Sequence, residues 1–353
     1  MIPGIKLQNG SISESVRGFL AKLMESGRIK AIVGLSRSSK SSASFAIVTR
    51  PEDIEGIDPF IPDYPVQGAE IVKRMTFVTP SPEKVLFILR PCEIRAVVEL
   101  SKLNQVQLKN LYFMSMDCPG ALKSSYIIAN GLPDGEEFLR ATRDSENLRR
   151  ACRTCEEFIP MCGADLRLSA LEGEPAIFSL TDKGNELIEN ATELPPPELS
   201  KIMEQRASEK NKDFDLFEKK FKGAENLLET LSACINCHNC KDACPICYCQ
   251  ECFFESTAMR YEADKFLGLG LRLGRARVPY DTLLFHLGRL NHMVSSCVAC
   301  GACEEACPRD IPVSLLFKRV AENVQNIFNY RAGRSFEEEL PLKTFREEEL
   351  QPR

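Results

Sequence analysis

Residues 234–245 read CINCHNCKDACP, and residues 297–308 read CVACGACEEACP. One spacing occurs twice: C-x2-C-x2-C-x3-C closed by proline, at Cys234, Cys237, Cys240, Cys244 and Pro245, and again at Cys297, Cys300, Cys303, Cys307 and Pro308. Three thiolates on one tight loop can grip three irons of a cubane, while the fourth, at the start of a helix, reaches the other cluster. The spacing therefore predicts two [4Fe-4S] clusters with crossed ligand sets. One is Cys234, Cys237, Cys240 and Cys307; the other is Cys297, Cys300, Cys303 and Cys244. Clusters this close can exchange electrons. The competing reading, zinc, usually takes two C-x2-C arms, and the triple step with its proline matches that poorly. Gly301 in the second loop suits a tight wrap around an inorganic core.

The rest of the composition narrows the field. A chain of 353 residues, 44% of them hydrophobic, has room for two or three cored domains. A net charge of -5 with no dominant basic block argues against nucleic acid. Sixteen cysteines behind an N-terminus, MIPGIKLQNGSISESV, with no signal-length apolar core predict reduced thiols in a cytoplasmic protein. No apolar run approaches the length of a membrane span. Trp is absent and His numbers only three, so histidine-rich metal sites are not expected. No Ser-His-Asp arrangement, paired carboxylate signature or Gly-x-Gly-x-x-Gly fingerprint occurs, so the chemistry must come from cofactors.

Residues 1–190 alternate short apolar runs with helical patterns. IKAIVGL (29–35), ASFAIVT (43–49), KVLFILR (84–90), LYFMSMD (111–117) and AIFSLT (176–181) read as strands of an α/β layer. Residues 191–231 read as a linker and a charged helix with a partial apolar stripe. Residues 232–320 form a mainly helical dicluster ferredoxin unit with a helical insertion at 253–296, and 321–353 read as a polar tail lying along a partner.

Eight cysteines lie outside the doubled motif. Cys92 and Cys118 each follow a predicted strand, and strand ends of an α/β sheet are where ligands bind. With the C-x2-C arm Cys152 and Cys155, they can converge as a third [4Fe-4S] site; isolated buried cysteines or a zinc site are the alternatives. Cys247, Cys249 and Cys252 follow the first loop in CYCQEC. With Cys162 they could hold a fourth cluster; otherwise they are alternative ligands of the first cluster or packing residues around it.

RPCEIRA at Cys92, MDCPG at Cys118, CRTCEEFIPMCGADL at Cys152 and Cys155, and TDKGNELIENA (181–191) resemble the coenzyme F420-reducing hydrogenase beta subunit family. That family includes the beta subunit of F420-dependent formate dehydrogenase. Members with attached ferredoxin units show motifs like CPICYCQEC and CVACGACEEACP. The resemblance implies a [4Fe-4S] cluster on Cys92, Cys118, Cys152 and Cys155, beside an FAD. The chain departs from the family in two places. SESVRGFLAKLMESGRIKAIVG lacks its Gly-Gly pair, and PDYPVQGAEIVKRM stands where a Lys-Tyr-Thr flavin element is expected.

Other residues carry weaker signals. GLSRSSKSSASF (34–45) offers Ser36, Arg37 and Lys40 as phosphate-cradle candidates for FAD, against a plain strand connection. Arg90 and Arg95 flank Cys92 and could offset cluster charge; His286 and His292 read as core or surface histidines, and His238 as a shield inside the first loop.

The expected function is an iron-sulfur, flavin-containing electron-transfer subunit of an anaerobic oxidoreductase. It would pass electrons between a hydride carrier, F420 or NAD(P)H, and clusters or a ferredoxin. The expected partners are subunits of a hydrogenase, formate dehydrogenase or heterodisulfide-reductase type complex. The alternatives are a flavin-free wire between subunits and a scaffold or sensor with structural clusters.

Overall fold

The computed structural model describes residues 1–7, 10–141 and 146–344. An α/β sheet region lies at the N-terminus and a helical region at the C-terminus. Eight strands form one sheet: β1 (Ile2–Lys6), β2 (Ala31–Ser39), β3 (Ser42–Val48), β4 (Val85–Leu89), β5 (Leu111–Met116), β6 (Leu166–Ser169), β7 (Ala176–Ser179) and β8 (Thr192–Leu194). Their order is β3-β2-β4-β5-β6-β7-β1-β8. The central run β2, β4, β5 and β6 is parallel, and antiparallel strands finish both edges.

Strands β4, β5 and β6 are buried along their whole length because both faces of a parallel sheet are covered. VLFIL of β4 and LYFMSM of β5 expose nothing. Alternation then sorts the side chains. Leu86 and Ile88 face α1 (Ile12–Glu25), which presents Val16, Leu20 and Leu23 from one stripe. Phe87 and Leu89 face α2 (Gly68–Thr76) and α3 (Pro91–Lys102) on the other side. Pro91 opens α3, where its missing N–H costs nothing. The Glu93 carboxylate accepts from the N–H of Arg90 at 2.6 Å and of Gly68 at 2.9 Å, tying the starts of α2 and α3 together.

Three strands, β1, β6 and β8, are absent from the sequence reading. They are only 5, 4 and 3 residues long. Pro3 and Gly4 interrupt β1, Arg167 and Ser169 interrupt β6, and β8 is a three-residue edge, so tertiary pairing rather than a local apolar pattern makes them strands.

The helical region contains α4 (Ser200–Phe221), α5 (Thr282–Met293) and α6 (Val313–Ile327). The charged α4 is mostly exposed but buries Arg206 and Phe221. Its Arg206 is buried, lies over the Phe158 ring at 4.4 Å and donates to the carbonyls of Cys118 (3.0 Å) and Pro119 (3.3 Å). Lys210 joins Glu156 to Glu322, and Asp213 accepts from Arg150 at 2.9 Å, so α4 straps the sheet to α6.

The chain after residue 320, read as a polar tail lying along a partner, packs in part on this chain itself. Helix α6 runs on to Ile327, and Tyr330, Ala332 and Leu340 are buried. Glu99, fully buried on α3, accepts from the Tyr330 hydroxyl at 2.5 Å and the Gly333 N–H at 2.7 Å. A polar sequence docks here because its charges meet fixed partners. Residues 345–353 of the expected tail lie outside the described residues. Among the described residues no helix is long and apolar enough to cross a membrane.

Candidate iron-sulfur sites

The two cysteine loops share one backbone path. Asn236 (φ 56°) and His238 (φ 61°) are left-handed in the first, as are Ala299 (φ 55°) and Gly301 (φ 76°) at the matching positions of the second. Such a path turns amides inward. The N–H of Asn236 donates to Cys234 Sγ at 3.4 Å, and those of Ala299 and Ala302 serve Cys297 and Cys300.

Each crossed set lines one cavity. Cys234, Cys237, Cys240 and Cys307 surround the first, here the outer site, where Cys237 is exposed. Cys244, Cys297, Cys300 and Cys303 surround the second, the inner site. Cys303 and Cys240 are close enough to perturb each other, so the two sites adjoin.

A third set gathers at the carboxyl edge of the sheet. Cys92 opens α3 beyond β4, Cys118 follows β5, and Cys152 and Cys155 lie on and just after the short helix Arg150–Arg153. Cys118 feels Cys152 and Cys155, and Cys92 feels Cys118 and Cys155. Gly120, at φ 110°, permits this approach, since a Cβ there would sit 3.2 Å from Cys152 Cβ. The sheet-edge set also meets the inner set, because Cys92 feels Cys300.

Burial pushes the Cys118 thiol up to about 12 and those of Cys240 and Cys297 to about 11. Left alone they hold protons; metal must displace them. The surrounding cations point the same way. Arg90 and Arg149 are each 4% exposed, and the Nη1 of each lacks a hydrogen-bond partner. Arg90 lies among the influences on Cys118, and Arg149 among those on Cys152 and Cys300. A buried, under-satisfied guanidinium is costly unless a negative charge faces it. Glu305 lies 3.5 Å from Arg149 and Glu93 acts on Arg90; a thiolate-ligated iron-sulfur cluster would add to that negative charge, and the donor sets fit one.

Among the described residues no three His, Cys, Asp or Glu side chains could hold a metal ion as a group. A single zinc needs each thiolate within about 2.3 Å. A cubane spreads its sulfurs over four corners, so its ligands need not meet at a point.

The outer site has supports the sequence did not reveal. Arg289, 2% exposed, donates to Cys240 Sγ at 3.1 Å and to the Cys240 carbonyl at 3.1 Å. His286 is a core histidine, 1% exposed, and its Nε2 lies 3.4 Å from Cys234 Sγ; burial lowers its pKa to about 4. His238 stacks on Phe285 at 4.2 Å. His286, Arg289 and Met293 occupy one face of α5 aimed at the cysteines. Their spacing was the available signal, but nothing local says what the face meets.

The proposed fourth set is not drawn together. Cys162 lies against residues 331–337, within reach of the Phe336 N–H and Lys102. Cys247 sits against Cys244 and Met293, Cys252 packs with Phe254 and Phe285, and Cys249 is exposed. The flavin candidates form no phosphate cradle either. Ser36 and Arg37 lie on β2, Lys40 is in the exposed turn to β3, and the Arg37 guanidinium is engaged by the carbonyls of Leu132 and Pro133, both at 2.7 Å. Arg95 is a docking residue, donating to the carbonyls of Ala332 (3.0 Å) and Val298 (3.3 Å).

Gly301 sets how closely the inner loop docks on the sheet region, since a Cβ there would lie 2.3 Å from Ala151 Cβ. Gly301→Ala adds this clash to left-handed strain of about 1–2 kcal/mol. We expect an unfolding midpoint lower by several degrees, read by thermal denaturation of the cluster-loaded protein. An unchanged midpoint would show that the loop docks elsewhere.

Residues 229–311 match the family described as 4Fe-4S dicluster domain. The chain is 27% identical over 296 residues to the F420-dependent formate dehydrogenase subunit beta of Methanocaldococcus jannaschii, covering 71% of this chain and 74% of that one. It is 26% identical over 377 residues to the F420-dependent formate dehydrogenase 1 subunit beta of Methanococcus maripaludis, covering 93% and 92%. Among solved structures, a chain of the F420-reducing [NiFe] hydrogenase complex from Methanosarcina barkeri aligns with a TM-score of 0.42 at 14% identity, over 62% of this chain and 89% of that one. The protein is thus similar, over most of its length, to beta subunits of F420-dependent formate dehydrogenase, with a 4Fe-4S dicluster domain in its C-terminal region.

Proposed function

We propose that this chain is an iron-sulfur electron-transfer subunit of an F420-linked formate dehydrogenase or hydrogenase complex, with three [4Fe-4S] clusters in a row. The observation that carries the reading is the contiguity of the cysteine sets. The sheet-edge set (Cys92, Cys118, Cys152, Cys155) adjoins the inner set through Cys92 and Cys300. The inner set adjoins the outer set through Cys303 and Cys240, and the outer set reaches the surface at Cys237. A bound cluster accepts and releases one electron. The chain's own residues hold the thiolates at fixed separations, turn amides and guanidiniums toward them, and bury the inner two sets.

F420 carries a hydride, whereas clusters take single electrons, so a flavin is the converter this reading calls for. Anaerobic purification with iron, sulfide and flavin analysis tests the reading. The expected result is about twelve irons and about twelve sulfides per chain, from three cubanes. A protein with no sulfide, or with zinc in its place, would refute electron transfer. Iron without flavin would reduce the chain to a one-electron wire.

A further inference from the structure

The segment Pro62-Asp63-Tyr64-Pro65 lies between two cysteine sets, with Tyr64 packed among Cys92, Cys152 and Cys300. Its position is tightly held. Asp63 accepts from the Tyr64 N–H at 2.7 Å and the Ala43 N–H at 2.9 Å, and Arg90 donates to the Asp63 carbonyl at 2.6 Å. Tyr64 is 8% exposed, and its ring lies beneath two guanidiniums, Arg149 at 4.6 Å and Arg90 at 5.2 Å. Its hydroxyl is 3.9 Å from Cys92 Sγ and also within hydrogen-bonding reach of Cys300. Cys92 belongs to the sheet-edge set and Cys300 to the inner set. Among the described residues, Tyr64 hydrogen-bonds toward a cysteine of both sets.

We propose that Tyr64 is the positioning residue that couples the sheet-edge and inner clusters, its single hydroxyl proton turning toward whichever of Cys92 and Cys300 carries the added electron. The inference rests on the three-cluster reading. The step is a one-electron exchange: one cluster loses the electron, the other gains it, and the proton stays on the phenol oxygen. A hydrogen bond to a ligand sulfur favours the reduced, more negative cluster. A hydroxyl rotor able to serve either side stabilises the electron at both ends of the hop. The paired guanidiniums hold the ring in place and add positive charge to the same gap.

The test is Tyr64→Phe in the full chain, purified anaerobically and titrated with dithionite while EPR follows each cluster. The ring and its guanidinium contacts remain, so iron and sulfide should match the parent. The potentials of the two flanking clusters should fall, each by on the order of tenfold in the reduction equilibrium, about 59 mV for one electron. The outer cluster should not move. Full clusters with all potentials unchanged would overturn the role of Tyr64 and leave the three-cluster reading intact. A parent protein without clusters would overturn the reading itself. Tyr64→Leu is the second variant and should move the same two potentials at least as far; the control is Tyr126→Leu, a packing loss in the separate cluster of Leu122, Ile127 and Phe138. If Tyr64→Leu moves them no further than that control, the effect is structural and the proposal fails.

Discussion

Replacing Cys152 by alanine is expected to remove about four of about twelve irons and the EPR signal of one cluster, while the outer and inner clusters remain. Cys152 lies on the short helix Arg150–Arg153, and its Cβ faces Gly120 in the turn after Cys118. The remaining thiolates, Cys92, Cys118 and Cys155, come from separate segments. No single loop grips three corners here, as happens in the doubled motif, so losing one arm leaves little to hold a cubane. The loss should reach stability too. Without the anionic cluster, Arg90 and Arg149 stay buried with N–H groups unmet, and each such group costs about 1–3 kcal/mol. Iron and sulfide analysis with EPR on the variant decides the matter. Full iron retention would show that these cysteines do not share a cluster.

Asp117→Ala should destabilise the protein by about 3–5 kcal/mol, measured as the shift of a denaturant unfolding curve. Asp117 ends β5 immediately before Cys118 and is 1% exposed. Its carboxylate accepts a two-pronged pair from Arg167, at 2.8 and 3.0 Å, and a hydroxyl hydrogen bond from Ser169 at 2.5 Å. Arg167 is 7% exposed, so removing Asp117 strands a charge inside the sheet. Such a cost is the penalty of the orphaned partner more than the worth of the pair. Because the same pair fixes the strand end that delivers Cys118, the variant should also load the sheet-edge cluster poorly. A shift below about 0.5 kcal/mol would place the charge in contact with water and remove the argument.

The legible parts of the molecule were those encoded locally. The long apolar runs at Val85–Leu89 and Leu111–Met116 announce buried strands, because only such strands are apolar on both faces. Strand β1 carries Pro3 and Gly4, β6 carries the polar Arg167 and Ser169, and β8 has three residues, so none shows an apolar run before it pairs. The charged stretch at 200–221 reads as a solvated helix, yet Arg206 leaves that face to clasp the Cys118 turn. Composition cannot show this, since the same arginine is cheap in water and cheap against two buried carbonyls. Cys162 illustrates the opposite limit. Sorting leftover cysteines into fours has no geometric content, and the fold sends Cys162 to the docked C-terminal segment.

Cysteine spacing over a dozen residues dictates the two loops, because their backbone turns span a few bonds and depend on neighbours in the chain. Which thiolates face one another across the molecule is a different kind of fact. Cys92 and Cys300 are distant in the string, and only strand order, the strap of α4 and the docking at Gly301 bring them both within reach of the Tyr64 hydroxyl. Long-range packing decides that arrangement, since the contacts that hold it gain their energy only once the whole core has closed.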